Sequence, residues 1–531
     1  MRNGLLLSFL GLALLTGPAD TAPRPNFVFF IADDMVPEMF NCLPEGKGKN
    51  LTPHLDRLAA EGVLMTGQHV VSPVCTPSRY NCLTGRYASR ARNEMFLAST
   101  AAEGQTRVEF NSYLTPKDVT LPSLLQQAGY LTGLVGKNHV IEVPGLDTRF
   151  ANYDANARDP KISARLRHNH DKVCAAVRQV GFDFAASVYN NNPDFLGLYE
   201  VAVQNMDWIT AGALDFIDRA GERPFFLWVA TTVPHDPVEP KRSWNANPLI
   251  TAQGYLDAPL EVQPARSTIP PRLKAAGLEL TDERANMLWL DDGLGAILAK
   301  LKHRGLLDNT IVFFFSDHGQ NAKGTLYQGG VHDPSIVWKQ GGFPAGSKCA
   351  HLISNVDFAP TILDMAGVKP EPGQFDGTSF LPALEGRETE QGRVLYHELG
   401  YTRALRKGKW KYLALRYPEK YANMSREERK RVLDEWNANR IRKHMRIVTE
   451  DPDMPFSHLT PIPGGGDAER RSTGAYPGYY DADQLYDLEA DPGERVNLAN
   501  DPEHQEVLKA LKQELRTRVR SLGDTFGEFG H

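Results

Sequence analysis

The sequence predicts an α/β protein, a large mostly parallel sheet sandwiched by helices, with a smaller C-terminal domain of antiparallel sheet plus helix. Three observations carry this. The runs 26–32 (NFVFFIA), 224–229 (PFFLWV) and 310–316 (TIVFFFS) are short, apolar and rich in β-branched and aromatic residues. A strand with one wet face alternates apolar and polar residues; these do not, so they read as strands buried on both faces. Helical stretches at 52–62, 121–129, 205–220, 282–304 and 357–367 alternate with such runs, which requires a parallel sheet covered on both sides. After about residue 384 the composition shifts, and 401–415, broken by Lys407-Gly408-Lys409, alternates as a hairpin does.

Taken in order, the chain opens with Met1-Arg2, an apolar run from Leu5 to Leu15 and the small residues Gly17, Ala19 and Ala22. That pattern predicts a secretory signal peptide over 1–22, and its apolar run falls short of the roughly 20 residues a membrane span needs. The expected organisation is then a catalytic α/β domain over 25–390 and a C-terminal subdomain over 391–531. The mature protein is expected to be secreted or periplasmic, with no membrane span. Residues 141–192, rich in Asn, Asp, Arg and His, show weak periodicity and read as a long excursion; Arg165, Arg167, His168 and His170 on it suit either an anionic ligand or a solvated face. The charge-dense segment 425–447 reads as an exposed helix, 457–480 as a Gly- and Pro-rich loop, 484–489 as a strand and 502–522 as a closing helix.

Length and 41% apolar content support two domains and a large interior, and a formal net charge of −6 argues against nucleic acid as a partner. The five cysteines, Cys42, Cys75, Cys82, Cys174 and Cys349, are few and odd in number for an exported chain; four remain if Cys75 has a chemical task, and they can be thiols or up to two bridges.

Chemistry concentrates where the strands end. The first run stops at Asp33-Asp34 and the last at Asp317-His318-Gly319, at the C-terminal edge where α/β folds place ligands. Neighbouring carboxylates raise each other's pKa unless a cation neutralises them, and hard oxygen ligands suit Ca²⁺ or Mg²⁺. Residues 75–79, Cys75-Thr76-Pro77-Ser78-Arg79, add a nucleophile and a fixed cation. C-x-P-x-R arises by chance in about one chain in fifty of this length, so it counts only in company. Further segments supply it: Gly129-Tyr130 followed by Gly136-Lys137-Asn138-His139, Val233-Pro234-His235-Asp236-Pro237, and Lys323-Gly324-Thr325-Leu326-Tyr327-Gln328-Gly329-Gly330-Val331.

In this order these motifs resemble the type I sulfatases of the alkaline-phosphatase-like superfamily, and the resemblance runs from about Pro25 to the C-terminus. It implies that a maturation enzyme oxidises Cys75 to formylglycine, whose hydrate is the nucleophile. It also implies a Ca²⁺ ion, in preference to Mg²⁺, held by Asp33, Asp34, Asp317, His318 and the converted Cys75. Arg79, Lys137 and Lys323 are implied to hold sulfate, His139 to act as base and His235 as general acid. Asn138 stands where that family has tryptophan, Gln328 replaces a glutamate, His332 falls where arginine is frequent, and His318 fills a slot often taken by asparagine.

The residue types make physical sense without the family. A sulfate monoester is an anion that gathers charge on its oxygens, so it needs fixed cations around it and a positioned nucleophile. A sugar alkoxide leaves poorly unless an imidazole protonates it. Singly, each residue has a plainer reading: a strand-end cap for the aspartates, a buried thiol for Cys75, structural imidazoles and solvated lysines for the rest. The conjunction favours a sulfuric ester hydrolase acting on a sulfated carbohydrate; the alternatives are a phosphodiesterase or phosphonate monoester hydrolase, an arylsulfatase for small esters, and a binding protein whose thiol is never converted.

Overall fold

The computed structural model describes residues 23–387, 392–466, 468–469, 472 and 474–530, so the expected signal peptide and the domain boundary at 390/391 lie outside the described residues. Strands β1 (Asn26–Asp33), β2 (Val63–Met65), β3 (Leu131–Lys137), β4 (Phe184–Tyr189), β5 (Phe225–Pro234), β6 (Thr310–Ser316), β7 (Ser335–Trp338) and β8 (Ser347–Cys349) make one eight-stranded sheet in the order β8-β2-β7-β6-β1-β5-β3-β4. All neighbouring pairs are parallel except those of β7, which runs antiparallel to β6 and β2. The sheet is covered on both faces, as the unbroken apolar runs require. Along β1, Phe27, Phe29 and Ile31 enter one hydrophobic cluster with the helices Cys75–Thr84 and Phe358–Met365; Val28, Phe30 and Ala32 enter the other with Met206–Ala220 and Asp282–His303.

Register places the chemistry. Ala32 pairs with Ser316 and Asp33 with Pro234, so β1, β5 and β6 finish at one edge and Asp34, His235 and Asp317 leave the sheet side by side. On the other side of β5, β3 shifts its register against β4 between Val135 and Gly136 and ends on Lys137. Gly136 sits at φ +88°, and a Cβ there would lie 1.8 Å from the Ala230 carbonyl oxygen. Only glycine lets the two backbones approach so closely while Lys137 is turned to the edge. Gly136→Ala is expected to lower stability by about 3 kcal/mol, read as a fall in the urea midpoint with an unchanged slope.

Beyond this sheet, β9 (Val394–Leu399), β10 (Thr402–Lys407), β11 (Trp410–Leu415) and β12 (Asp483–Asp487) form an antiparallel sheet. The closing helix Gln505–Leu522 packs Leu508, Leu511, Leu515, Val519 and Leu522 against it, a heptad-like stripe beside Tyr412 and Leu485. The sequence-predicted helices and the hairpin lie within a few residues of their expected bounds.

One segment departs from expectation. Residues 141–192 are not an unstructured excursion: they contain the 19-residue helix Pro160–Arg178 and the edge strand β4. Asp159 caps the helix by accepting from the Lys161 and Ile162 N–H groups, and only Leu166, Val173, Cys174, Ala176 and Val177 are buried, a stripe too narrow for periodicity to register. Arg165 bonds the Asp147 and Arg149 carbonyls, and His170 Nε2 accepts from the Val188 N–H at 3.3 Å, so both hold the segment together. The charged helix Arg426–Arg442 is mostly exposed and begins with a capping box between Ser425 and Glu428. Among its described residues the 457–480 loop carries only a one-residue bridge at Pro463, yet its His458 and Tyr479 are buried and its Tyr476 stacks on Tyr327 at 3.7 Å. No helix among the described residues is long and apolar enough to cross a membrane, and all five cysteines are free.

Candidate active site

Cys75 is the first residue of the helix Cys75–Thr84, which follows the extended Val74 and has no side-chain cap. A helix N-terminus left uncapped presents free N–H groups and the positive end of the macrodipole, a setting suited to an anion. The Cys75 thiol is 1% exposed and lies 3.5 Å from Asp33 Oδ1 and 3.7 Å from His318 Nε2. Burial, then Asp317 and Asp33, push its pKa up, so in this form it is a protonated thiol and a poor nucleophile.

Around it stand three carboxylates and three cations, each less than a tenth exposed. Lys137 Nζ pairs with Asp33 Oδ2. Arg79 Nη2 reaches Asp317 Oδ2 at 3.1 Å and Asp33 Oδ1 at 3.5 Å, and Nη1 donates to the Lys137 carbonyl. Lys323 Nζ donates to both oxygens of Asp34, at 2.6 and 2.8 Å. Burial raises the Asp33 pKa, but Lys137, His235 and Arg79 together hold it well below the usual carboxylate range. Asp34 is treated the same way by His235 and Lys323 against its burial. Asp317 is the exception: burial, then the Asp33 charge, leave it raised. Asp34, at φ +67°, and His139, at φ +50°, adopt the left-handed backbone, sparsely used by non-glycine residues and common where a site dictates geometry.

Ligand atoms of Asp34, Cys75, Asp317 and His318 all lie within 4.8 Å of one another and all four residues are buried. Burial lowers the His318 pKa, yet Asp317 and Asp34 raise it well above the ordinary imidazole value. The acids thus draw a proton onto His318 in place of another cation, which is what a donor set fit for a divalent ion does when only protein charges are present. Asp33 stands at the rim of this quartet, its Oδ2 engaged by Lys137.

Two histidines complete the ring. His139 makes no side-chain hydrogen bond through its buried Nδ1, and its imidazole lies against Phe110 with centroids 5.8 Å apart. Burial, then Lys137 and Arg79, hold its pKa well below 6.5, so it is a neutral imidazole with a free nitrogen. His235 is the most open member, its side chain 19% exposed, with Nε2 3.3 Å from Asp34 Oδ2.

All ten residues singled out in the sequence therefore lie in one cluster. Supporting residues were not foreseen. Asn192 Nδ2 lies 2.7 Å from His235 Nε2 and fixes that ring, and Gln204 donates to the His235 carbonyl at 2.8 Å. Ser78 donates to the Asp317 carbonyl and accepts from Asn355 Nδ2 at 3.0 Å. Asp333 is buried with its pKa pushed well up by burial, against His318 and with Asp317. Asn138 closes its own turn, accepting from the Ile141 N–H at 2.9 Å and donating to Asn190 Oδ1 at 3.0 Å. Gln328 and His332 are engaged by His69 at 3.2 Å and the Thr66 carbonyl at 2.7 Å respectively.

Residues 25–368 match the family model described as Sulfatase. The chain is 30% identical over 436 residues to the N-acetylgalactosamine-6-sulfatase of Canis lupus familiaris, covering 77% of this chain and 74% of that one. It is 27% identical over 519 residues to the ulvan-active sulfatase of Formosa agariphila, covering 94% and 76%. A solved sulfatase structure from work on glycosaminoglycan metabolism by Bacteroides thetaiotaomicron superimposes with a TM-score of 0.61 at 22% identity, covering 94% of this chain and 99% of that one. The phosphonate monoester hydrolase of Silicibacter pomeroyi superimposes at 0.55 and 20% identity, covering 94% and 90%. These last two show the shared fold.

Proposed function

The chain belongs to the sulfatase family and is a sulfuric ester hydrolase, and from that premise we propose that it removes sulfate from a sulfated polysaccharide or oligosaccharide by means of an aldehyde made from Cys75. The observation that carries this reading is the ring of three buried cations, Arg79, Lys137 and Lys323, around a buried cysteine at a helix N-terminus. The hydrate of such an aldehyde supplies one hydroxyl to attack sulfur and a second whose deprotonation expels sulfate. Lys323 and Lys137, pinned by Asp34 and Asp33, hold the anion's oxygens. Arg79 fixes Asp33 and Asp317 relative to the residue at 75. His139, kept neutral, takes the proton of the second hydroxyl; His235, the most open member of the ring and held 3.3 Å from Asp34 Oδ2, gives a proton to the leaving sugar oxygen.

Asp34, Asp317, His318 and the residue at 75, with Asp33 at the rim, would hold Ca²⁺ in preference to Mg²⁺, and such an ion supplies acidification of the attacking hydroxyl. EDTA is expected to abolish sulfate release and lower Tm, and added Ca²⁺ to restore both. At a hundredfold excess over Kd the ion adds about 2.7 kcal/mol; a melting curve indifferent to millimolar Ca²⁺ and EDTA rules this part out.

We place the catalytic domain over 25–390 and the C-terminal subdomain over 391–531. Export, read from the apolar start, puts the enzyme where polymers are met, and the sulfated-glycan relatives support that substrate class. The reading is tested by measuring sulfate released from a panel of sulfated sugars, with aryl sulfates, phosphodiesters and phosphonate monoesters alongside. Faster turnover of the phosphorus esters overturns it in favour of the hydrolase whose fold is shared.

A further inference from the structure

Among the described residues the most exposed aromatic side chains, Tyr199 and Phe195, lie on the chain just after Asn192, the partner of His235. Asn192, which holds that imidazole at 2.7 Å, is also the residue from which the short 3-10 turn Pro193–Leu196 starts, and Phe195 on that turn is 40% exposed. Tyr199, 44% exposed, follows on the next turn and its N–H donates to the Tyr153 carbonyl at 2.8 Å. The end of the charged helix Arg426–Arg442 is brought across from the C-terminal part onto this surface. His444 lies 5.5 Å from the Tyr153 ring and 6.1 Å from the Tyr199 ring, and Lys443 Nζ stands 4.8 Å from the Phe195 centroid.

This surface has a rigid base. Beneath it Leu166, Leu198, Val201, Val203 and Ile250 form a small separate core. Arg242 pairs with Asp194 and lies 5.1 Å over Tyr199, so the turns are tied to the segment that follows His235. Tyr199 and Phe195 on a fixed base offer part-exposed flat apolar area at low entropic cost, while the cations over one side of each ring, Arg242 and Lys443, attract negative charge. Sugar rings present apolar C–H faces and, when sulfated, anionic edges. Exposed aromatic area of this kind in a soluble domain marks a binding surface.

Resting on the sulfatase reading above, we propose that Tyr153, Phe195, Tyr199, Lys443 and His444 form an accessory subsite for a neighbouring sulfated sugar residue of the same chain, so that the enzyme acts on oligomers rather than on single sugars. Sugar rings stack on Phe195 and Tyr199, and the sulfates of the extended chain lie along Lys443 and His444.

The test uses the full chain carrying Cys75→Ala and sulfated hexasaccharides of chondroitin, ulvan and ι-carrageenan, with the matching disaccharides, by calorimetry. Phe195→Ala together with Tyr199→Ala is expected to weaken hexasaccharide binding roughly tenfold or more and to leave disaccharide binding within about twofold of the parent. Lys443→Ala should flatten the salt dependence of hexasaccharide binding. Equal affinity for hexa- and disaccharides in the parent, or unchanged hexasaccharide affinity in the aromatic double variant, overturns the subsite. So does dimerisation through this face, seen as a molar mass that falls to the monomer in that variant. Failure of the parent reading shows elsewhere, as an unaltered Cys75 enzyme that releases no sulfate from any ester.

Discussion

Replacing Cys75 with alanine is expected to reduce sulfate release by at least about a thousandfold while the fold and melting temperature stay near those of the parent. The thiol contributes little packing beyond a methyl group, and its burial among Asp33, Asp317 and His318 is a cost rather than a gain for any charged form. Cys75→Ser expressed where only cysteine is converted should behave alike, because an unconverted serine offers a single hydroxyl and no second one whose deprotonation can expel sulfate. The accompanying measurement is the mass of the peptide containing residue 75 from the native host, expected to be lighter by the difference between a CH₂–SH and a CHO group. Substantial turnover by the alanine variant overturns the mechanism.

Arg79→Ala is expected to fail twice over. The guanidinium is wholly buried and spans Asp33, Asp317 and the Lys137 carbonyl. Removing it leaves Asp317, already raised by burial and by Asp33, facing a second carboxylate without the guanidinium that bridges the two, with only His318 and Lys137 to offset them. Breaking a buried pair in this way costs about 3–5 kcal/mol, and losing one fixed positive group beside the reacting anion costs about a hundredfold or more in kcat. Arg79→Lys recovers little, since one ammonium cannot reach three acceptors held by a planar fork. Urea denaturation and sulfate release together check both halves; a variant with parental stability shows that Lys137 and a bound ion suffice to neutralise the acids.

The architecture and the strand-end residues Asp33, Asp34, Asp317 and His318 were readable because they follow unbroken apolar runs, while Cys75, Arg79, Lys137, His139, His235 and Lys323 were readable from motifs that resemble those of the sulfatases. A parallel sheet with both faces covered leaves such acids one place to go, the C-terminal edge, and the register of β1 with β5 and β6 brings Asp34, His235 and Asp317 together there. Sequence is less informative about what steadies them. Asn192 meets His235 across 43 positions and Asn355 meets Ser78 across 277, and nothing local marks an asparagine that will find its partner so far away. The helix Pro160–Arg178 escaped for a different reason: lying on an outer edge it buries only a thin stripe, and its charged residues serve as tethers to the preceding loop. The same long-range logic hid the aromatic surface, whose Lys443 and His444 lie more than two hundred positions downstream of its rings.

The near-total enclosure of the Cys75 side chain, at 1% exposure on the first turn of a helix with no exposed residue before Gly85, sets an order of events. A second protein cannot bring its own reactive groups to a sulfur walled in by strand ends and by a helix whose every side chain is packed. On the proposed conversion of Cys75, whatever oxidises that carbon must therefore act on the nascent or still extended polypeptide, and a chain that folds first would be trapped as an inert thiol. Yield of working enzyme then depends on a race between oxidation and folding, so slowing the collapse of the chain in a host that holds the oxidising enzyme should raise the active fraction.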